Sequence, residues 1–436
     1  MLYRRPVELL QRLIRFDTSN PPGNEVACTA FVRELLHEAG LDPLTLALDP
    51  ARPNVVARLP GRGAAPPLLL QGHLDVVGVA GQEWRHPPFE GRLAEGFVWG
   101  RGALDMKGGV AMLLAAFLRA AAEGPQPPGD VILALMSDEE AGSVYGARFL
   151  VERHAGLFAG VRYALGEFGG FTVYRAGRRF YPIMVAEKQS CHIRATVRGP
   201  GGHGASIVPG TAAARLGRLL TALDRTRLPI HVTPVVRRML EDILAALPLH
   251  QRIPFSQVLN PALAGRVLRL LGPQGQIIET LLRNTVTPTI VRAGGPAINV
   301  IPAEATVELD VRLLPGFTPA DALAELRPLL GEDVELEVLA FEAGPTLVDM
   351  GLFGTLAGIL READPAGLPT PLMVHGVTDA RFFSRLGIQT YGFLPMQLPP
   401  DFSFWNTLHA ADERIPAEAV GFGAEAIYRA LQRFAV

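Results

Sequence analysis

Sulfur nucleophiles are nearly absent from this sequence: in 436 residues, only Cys28 and Cys191 are cysteine. Two isolated cysteines form neither a disulfide framework nor a thiolate zinc site, and they suit a reducing compartment. Lysine is as scarce, occurring only at Lys107 and Lys188 among 41 basic residues, and no Lys/Arg block runs along any segment. With a formal net charge of −2, the chain lacks the cationic footprint of a nucleic-acid binder. No stretch is long and apolar enough to span a bilayer, and Val7, Leu9, Leu10, Leu13 and Ile14 alternate with charges instead of forming an apolar signal region. The expectation is a soluble, cytoplasmic protein with neither a membrane nor a nucleic-acid partner.

What remains is globular. Hydrophobic residues make up 48% and charged residues 19%, a balance that excludes a disordered chain. The length exceeds what one core usually holds, so two domains are expected. Apolar runs at Asn54 to Leu59, Pro67 to Gln71 and Asp130 to Met136 read as strands, with a small-residue helix from Gly108 to Ala122 between the last two. Strands alternating with helices imply an α/β layer around a mixed or parallel sheet. From about Glu187 the texture changes. A strand at Cys191 to Val197, a helix at Thr211 to Leu223, strands at Val286 to Arg292 and Ala305 to Leu313, a helix at Pro319 to Leu330 and a strand at Val334 to Leu339 give the order β, α, β, β, α, β. That is the order of a ferredoxin-like α+β sandwich, interrupted by a helical insertion near 225–284. The α/β texture returns at about Phe341 and ends in a helix from Ala417 to Phe434. The expected organisation is therefore a discontinuous first domain, 1–186 and 341–436, with a second domain, 187–340, inserted into it.

The chemistry-bearing residues gather at loop and strand ends. His73-Leu-Asp75 follows a buried strand, the place where sites in α/β sheets collect. Taken alone, such a pair is more often a loop hydrogen bond than a metal site. Asp105, in Gly100-Arg-Gly-Ala-Leu-Asp105-Met-Lys-Gly-Gly, precedes the small-residue helix and, taken alone, reads as a helix cap before it reads as a ligand. Asp138-Glu139-Glu140 closes another strand, and three adjacent carboxylates repel one another unless cations compensate or solvent screens them. Glu167 ends a further apolar stretch, and His409 lies near the far end. Two imidazoles with several carboxylates and no cysteine make up the ligand chemistry of zinc, less well that of a magnesium phosphohydrolase.

Together the motifs resemble the zinc metallopeptidases that include aminoacylase, acetylornithine deacetylase, succinyl-diaminopimelate desuccinylase, glutamate carboxypeptidase and carboxypeptidase S. The resemblance rests on His73-Leu-Asp75, Trp84-Arg-His-Pro-Pro-Phe89, Trp99 through Gly108, Asp138-Glu-Glu140, Gly201-Gly-His203-Gly, Asn299-Val-Ile-Pro302, Asp310-Val-Arg312 and Leu408-His409. It implies two Zn2+ per chain, with Co2+ or Mn2+ able to substitute: His73 and Glu167 on one, Glu140 and His409 on the other, and Asp105 on both. Asp75 would orient His73, Glu139 would be the general base, and His203, on a lid that also forms a homodimer, would stabilise the oxyanion. Arg312 resembles the family's substrate-carboxylate clamp and Asn299 a lid residue beside the substrate, while Gly376 and Thr378 lie in a motif resembling its glycine-rich substrate loop. The pattern leans toward the aminoacylase and carboxypeptidase S branch, and hence toward a dipeptide or N-acyl amino acid with a free carboxylate. The biosynthetic deacylases of acetylornithine or succinyl-diaminopimelate, and a non-catalytic amide-binding relative, are the alternatives. Val377 departs from the usual Gly or Ala, and Ala205-Ser206 from the usual Ser after the lid histidine.

Overall fold

The non-alternating apolar runs Leu68–His73 and Val131–Met136 become buried strands paired in parallel, and the alternating run Glu304–Leu313 becomes a half-open antiparallel one. The computed structural model describes residues 1–295, 297–345 and 348–435. It divides into two compact units, one of 1–186, 348–372 and 378–436, the other of 187–347 and 373–377. Relative to the sequence expectation, the later boundary moves from 340/341 to 347/348, because the strand Glu335–Glu342 runs past it.

The first unit is built on a nine-stranded mixed sheet, eight of whose strands lie along one path: Val173–Arg175, Arg178–Glu187, Gln389–Gly392, Tyr163–Gly166, Leu68–His73, Val131–Met136, Asn54–Leu59 and Leu44–Leu46. The middle four run parallel, from Gln389–Gly392 through Val131–Met136. Leu68–His73 and Val131–Met136 are buried at every position, as strands covered on both faces must be. Helix Lys107–Ala122 packs with Pro6–Ile14 and Ala417–Arg433. A separate cluster joins Phe149, Leu150, Phe158, Phe382 and Phe383 to sheet residues Leu69, Ile132 and Ala134. Gly108 explains part of the glycine pair at the helix start: a Cβ there would lie 2.1 Å from the Ala103 carbonyl oxygen, so only glycine lets the helix sit against the loop carrying Asp105.

The second unit has a four-stranded antiparallel sheet in the order Thr285–Ala293, Glu304–Leu313, Gln189–Arg198, Glu335–Glu342. Along Glu304–Leu313, Ala305, Val307, Leu309, Val311 and Leu313 are buried in a core shared with Leu216 and Leu219 of helix Ala212–Arg225 and Leu326 of helix Pro319–Leu330. The intervening residues, Asp310 and Arg312 among them, occupy the other face. Helix Pro319–Leu330 starts where its sequence directs, with Thr318 and Asp321 forming a reciprocal capping box. The interruption predicted in the sequence is a run of four helices, Pro234–Ala245, Leu249–Ser256, Pro261–Leu270 and Pro273–Leu282.

Candidate metal centre

The parallel strands of the first unit end on one edge, and residues at and just beyond their carboxyl ends build the site. His73 is the last residue of its strand rather than the first beyond it, Glu167 comes directly after Tyr163–Gly166, and Asp138 to Glu140 lie just past Val131–Met136. Asp105 does not cap the next helix, since Met106 holds that position. Its carboxylate instead joins the two imidazoles: Oδ1 lies 3.1 Å from His73 Nε2 and Oδ2 lies 3.0 Å from His409 Nε2. Glu167 Oε2 is 3.5 Å from His73 Nε2, and Glu140 Oε1 is 3.4 Å from His409 Nε2. Two three-residue groups result, His73–Asp105–Glu167 and Asp105–Glu140–His409, each with its donor atoms within 4.8 Å of one another and with Asp105 common to both. Glu139 adjoins these groups and belongs to neither.

The electrostatics show a cluster short of positive charge. Burial pushes the Glu167 carboxyl up to about 8, against the opposing pull of His73. Burial and then the charge of Glu167 lift Glu139 well above the carboxylate range. Asp105 and Glu140 raise His409 to about 10, and Asp105, Asp75 and Glu167 hold His73 well above its usual value although burial opposes it. These shifts share one cause, carboxylates crowded together out of water, and a cation would relieve it. Glu140 Oε1 is buried without a hydrogen-bond donor in line with it, although His409 Nε2 is near. Neutral imidazole, shared carboxylate and an unsatisfied carboxylate oxygen together fit two divalent ions of borderline softness.

A surrounding layer of buried polar contacts fixes these groups, and most of it is not legible in the sequence. The His73 Nδ1 atom lies 3.0 Å from the backbone oxygen of Asp75 and 3.6 Å from its carboxylate. That carboxylate accepts the N–H groups of Glu139 and Glu140, each at 3.1 Å, and one from Asn20 Nδ2 at 2.9 Å. Asn20 also donates to Asp138 at 3.0 Å, and Arg52 lies 3.3 Å from Asp138 while pairing with buried Glu25. On the other side, Arg101 and Glu413 are wholly buried and 2.6 Å apart. Glu413 Oε1 accepts the N–H groups of Leu104 and Asp105, and Arg101 donates to the carbonyls of His409 and Ala410. One ion pair therefore holds both the shared carboxylate and the second histidine. Arg381 Nη1 lies 3.8 Å from Glu139 Oε1, and Asp379 accepts a 2.5 Å hydrogen bond from Ser143. Asn20 and Glu413 stand in or beside recognisable motifs, but no pattern ties them to partners 55 and 312 positions away.

The remaining candidates lie elsewhere. His203, Asn299 and Arg312 belong to the second unit, where the strand pair Gly202–His203 and Val300–Ile301 brings His203 beside Asn299. Asn299 accepts the N–H of Gly204 at 2.7 Å. Ala205 N–H donates to His203 Nδ1 at 3.1 Å, which leaves the ring proton on Nε2. Arg312 pairs with Asp310 at 2.8 Å on the open face of the sheet. Gly376 groups with the second unit and Thr378 with the first, where the Thr378 hydroxyl accepts the N–H of Ala380.

A family model described as peptidase family M20/M25/M40 matches residues 69–433. Among known proteins, the succinyl-diaminopimelate desuccinylase of Methylobacterium nodulans is 32% identical, covering 94% of this chain and 91% of its own length. Aminoacylase-1 of Sus scrofa is 27% identical over 98% of this chain and 94% of its own. Among solved structures, an M20 family metallo-carboxypeptidase of Sulfolobus solfataricus shares the fold with a TM-score of 0.66 at 18% identity, over 99% of both chains.

Proposed function

The chain belongs to peptidase family M20/M25/M40, and from that premise we propose that it cleaves the amide or peptide bond of a dipeptide or N-acyl amino acid carrying a free carboxylate. It is a hydrolase of that family. The observation carrying the narrower reading is the pair of donor groups sharing Asp105, with Glu139 beside them and in neither. His73, Asp105 and Glu167 would hold one divalent ion, and Asp105, Glu140 and His409 a second, zinc being the ion the donors suit. When bound, such ions supply Lewis acidity toward the scissile carbonyl and a water acidic enough to attack near neutral pH.

The chain's own residues do the rest. Asp75 holds the Glu139–Glu140 turn through two backbone N–H groups, and so sets where the Glu139 carboxylate stands. Glu139 takes a proton from the attacking water and returns it to the leaving amine. His203 offers Nε2–H to the oxyanion, the tautomer that its bond from Ala205 supports. Arg312 presents a planar fork to the substrate carboxylate, with Asn299, Gly376 and Thr378 as further substrate contacts. The chain pairs as a homodimer through its second unit, whose edge strands expose Ile290, Val291, Val338 and Leu339, and light scattering of the purified protein tests this.

Glu139→Gln tests the mechanism. Metal content and fold should persist while turnover falls by about 10²- to 10⁴-fold. Activity within a few-fold of the parent would remove Glu139 from the role of base. A second reading, a biosynthetic deacylase, draws on the desuccinylases among the relatives. Assaying N-acetyl-methionine, Gly-Leu, N-acetyl-ornithine and N-succinyl-diaminopimelate side by side separates the two.

A further inference from the structure

Beside the donor groups of the first unit lies a four-ring aromatic array that the mechanism does not use. Phe171 and Phe404 are buried and stack with centroids 4.0 Å apart and planes 9° apart. Phe168 and Trp405 form a second parallel pair, 5.8 Å apart at 6°. The two pairs meet edge to face, with Phe404 at 80° to Phe168 and 84° to Trp405. The inner pair is ordinary core. The outer pair is not, because Phe168 is half-buried and Trp405 keeps 45% of its surface exposed. A tryptophan serving only to fill space would be covered, since burying its rings is the main stabilisation it offers.

The place of this outer pair is what gives it meaning. Phe168 directly follows Glu167, and Trp405 stands four residues before His409 on the short helix Phe404–Thr407, which Ser403 caps. The stack therefore joins the turn carrying a donor of one group to the segment carrying the histidine of the other. Phe168 and His409 both have left-handed backbones, φ 60° and 59°, a conformation that a bulky side chain adopts only when its surroundings enforce it. The partly exposed outer pair is thus tied through the chain to Glu167 and to His409, one residue from each donor group.

We propose that Phe168 and Trp405 form an apolar subsite that receives a large apolar group of the amide substrate, either its acyl chain or its side chain. This rests on the amidohydrolase reading of the same centre and narrows its substrate class: acetyl and glycyl groups would leave the rings uncovered, whereas a medium-length acyl chain or an aromatic side chain would cover them.

The test uses the zinc-reconstituted full chain and its Trp405→Ala, Trp405→Phe and Phe168→Leu variants. One arm compares kcat/KM for N-octanoyl-glycine against N-acetyl-glycine, the other for N-acetyl-phenylalanine against N-acetyl-alanine. In one arm the large-to-small ratio should fall about tenfold in Trp405→Ala and recover in Trp405→Phe, and that arm identifies which group the subsite takes. Ratios unchanged in both arms, with large and small substrates falling together, would show a purely structural array and overturn the proposal. Calorimetric binding of 4-phenylbutyrate against acetate provides a readout without turnover. If none of the four amides is cleaved but a preference for phenylbutyrate is present and is lost in Trp405→Ala or Phe168→Leu, the subsite stands and the amidase reading falls. If the parent shows no such preference, the subsite falls whatever the turnover.

Discussion

Replacing Glu413 by Gln changes one atom and should unsettle both candidate donor groups. Glu413 uses Oε2 for Arg101 Nη1 and Oε1 for the N–H groups of Leu104 and Asp105, so both its oxygens face donors. Glutamine has one carbonyl oxygen. Whichever way it turns, its NH2 meets either a guanidinium or a backbone N–H. Arg101, fully buried, also loses its counter-charge. Burial already pushes Glu413 above the usual carboxylate range, with Arg101 and the two N–H groups opposing, so desolvation weighs heavily in this pair. Breaking such a pair from one side costs about 3–5 kcal/mol, a large part of the roughly 5–15 kcal/mol by which proteins are stable. Urea unfolding of metal-stripped protein, monitored by fluorescence, measures the loss without confusing it with metal release. Trp84 is a local reporter, since the Arg101 guanidinium sits 5.0 Å from its ring centroid. The double variant Arg101→Leu/Glu413→Leu should be more stable than Glu413→Gln, because it leaves no unpaired charge. A loss below about 1 kcal/mol in Glu413→Gln, or a double variant no better than the single one, would refute the reasoning.

The geometry leads to three other outcomes. Chelation should abolish turnover and lower the thermal midpoint, by an amount corresponding to about 2.7 kcal/mol for an ion present at a hundred times its Kd, and added zinc should restore both; an unshifted midpoint in calorimetry would exclude ions at the centre. Arg312→Ala should raise KM roughly ten- to hundredfold for substrates with a free carboxylate and leave amidated ones nearly unaffected, and equal effects in a steady-state comparison would exclude the clamp. Burial and then Arg312 depress the Lys188 ammonium from 10.5 to about 7, so between those values the unfolded chain holds a proton that the native chain has lost. Stability from this group therefore rises with pH through that window, and Lys188→Met should flatten the pH dependence of the urea midpoint between pH 7 and 10; an unchanged slope would show that the ammonium titrates as in solution.

Legibility in the sequence tracks the range of the interaction. Helix Pro319–Leu330 is legible to the residue, because its capping box and periodicity lie within its own segment. The buried strands ending at His73 and Met136 are legible as apolar runs, and so is the β, α, β, β, α, β order of the second unit. Short strands such as Gln389–Gly392 are not, since four residues carry no periodicity and the burial of this one is decided by neighbours far off in the chain. The same limit applies at the site. His73, Asp105, Glu139, Glu140, Glu167 and His409 stand out as unusual residue types at element ends. Arg101, Asn20, Phe168 and Trp405 look like ordinary surface or core residues until their partners are brought beside them. Asp105 illustrates the difference: locally it reads as a helix cap, and only the two distant imidazoles reveal its use.

The discontinuity of the first unit also imposes an order on biosynthesis. His73, Asp105, Glu140 and Glu167 leave the ribosome early, but the strand Gln389–Gly392 that fills the gap between Arg178–Glu187 and Tyr163–Gly166 is made only after the whole inserted unit, and His409 later still. A nascent chain or an early-terminated fragment thus carries the acids without the last histidine and without a closed sheet. The donor group of Asp105, Glu140 and His409 is therefore complete only after the whole inserted unit has been made, whereas that of His73, Asp105 and Glu167 is encoded entirely before it.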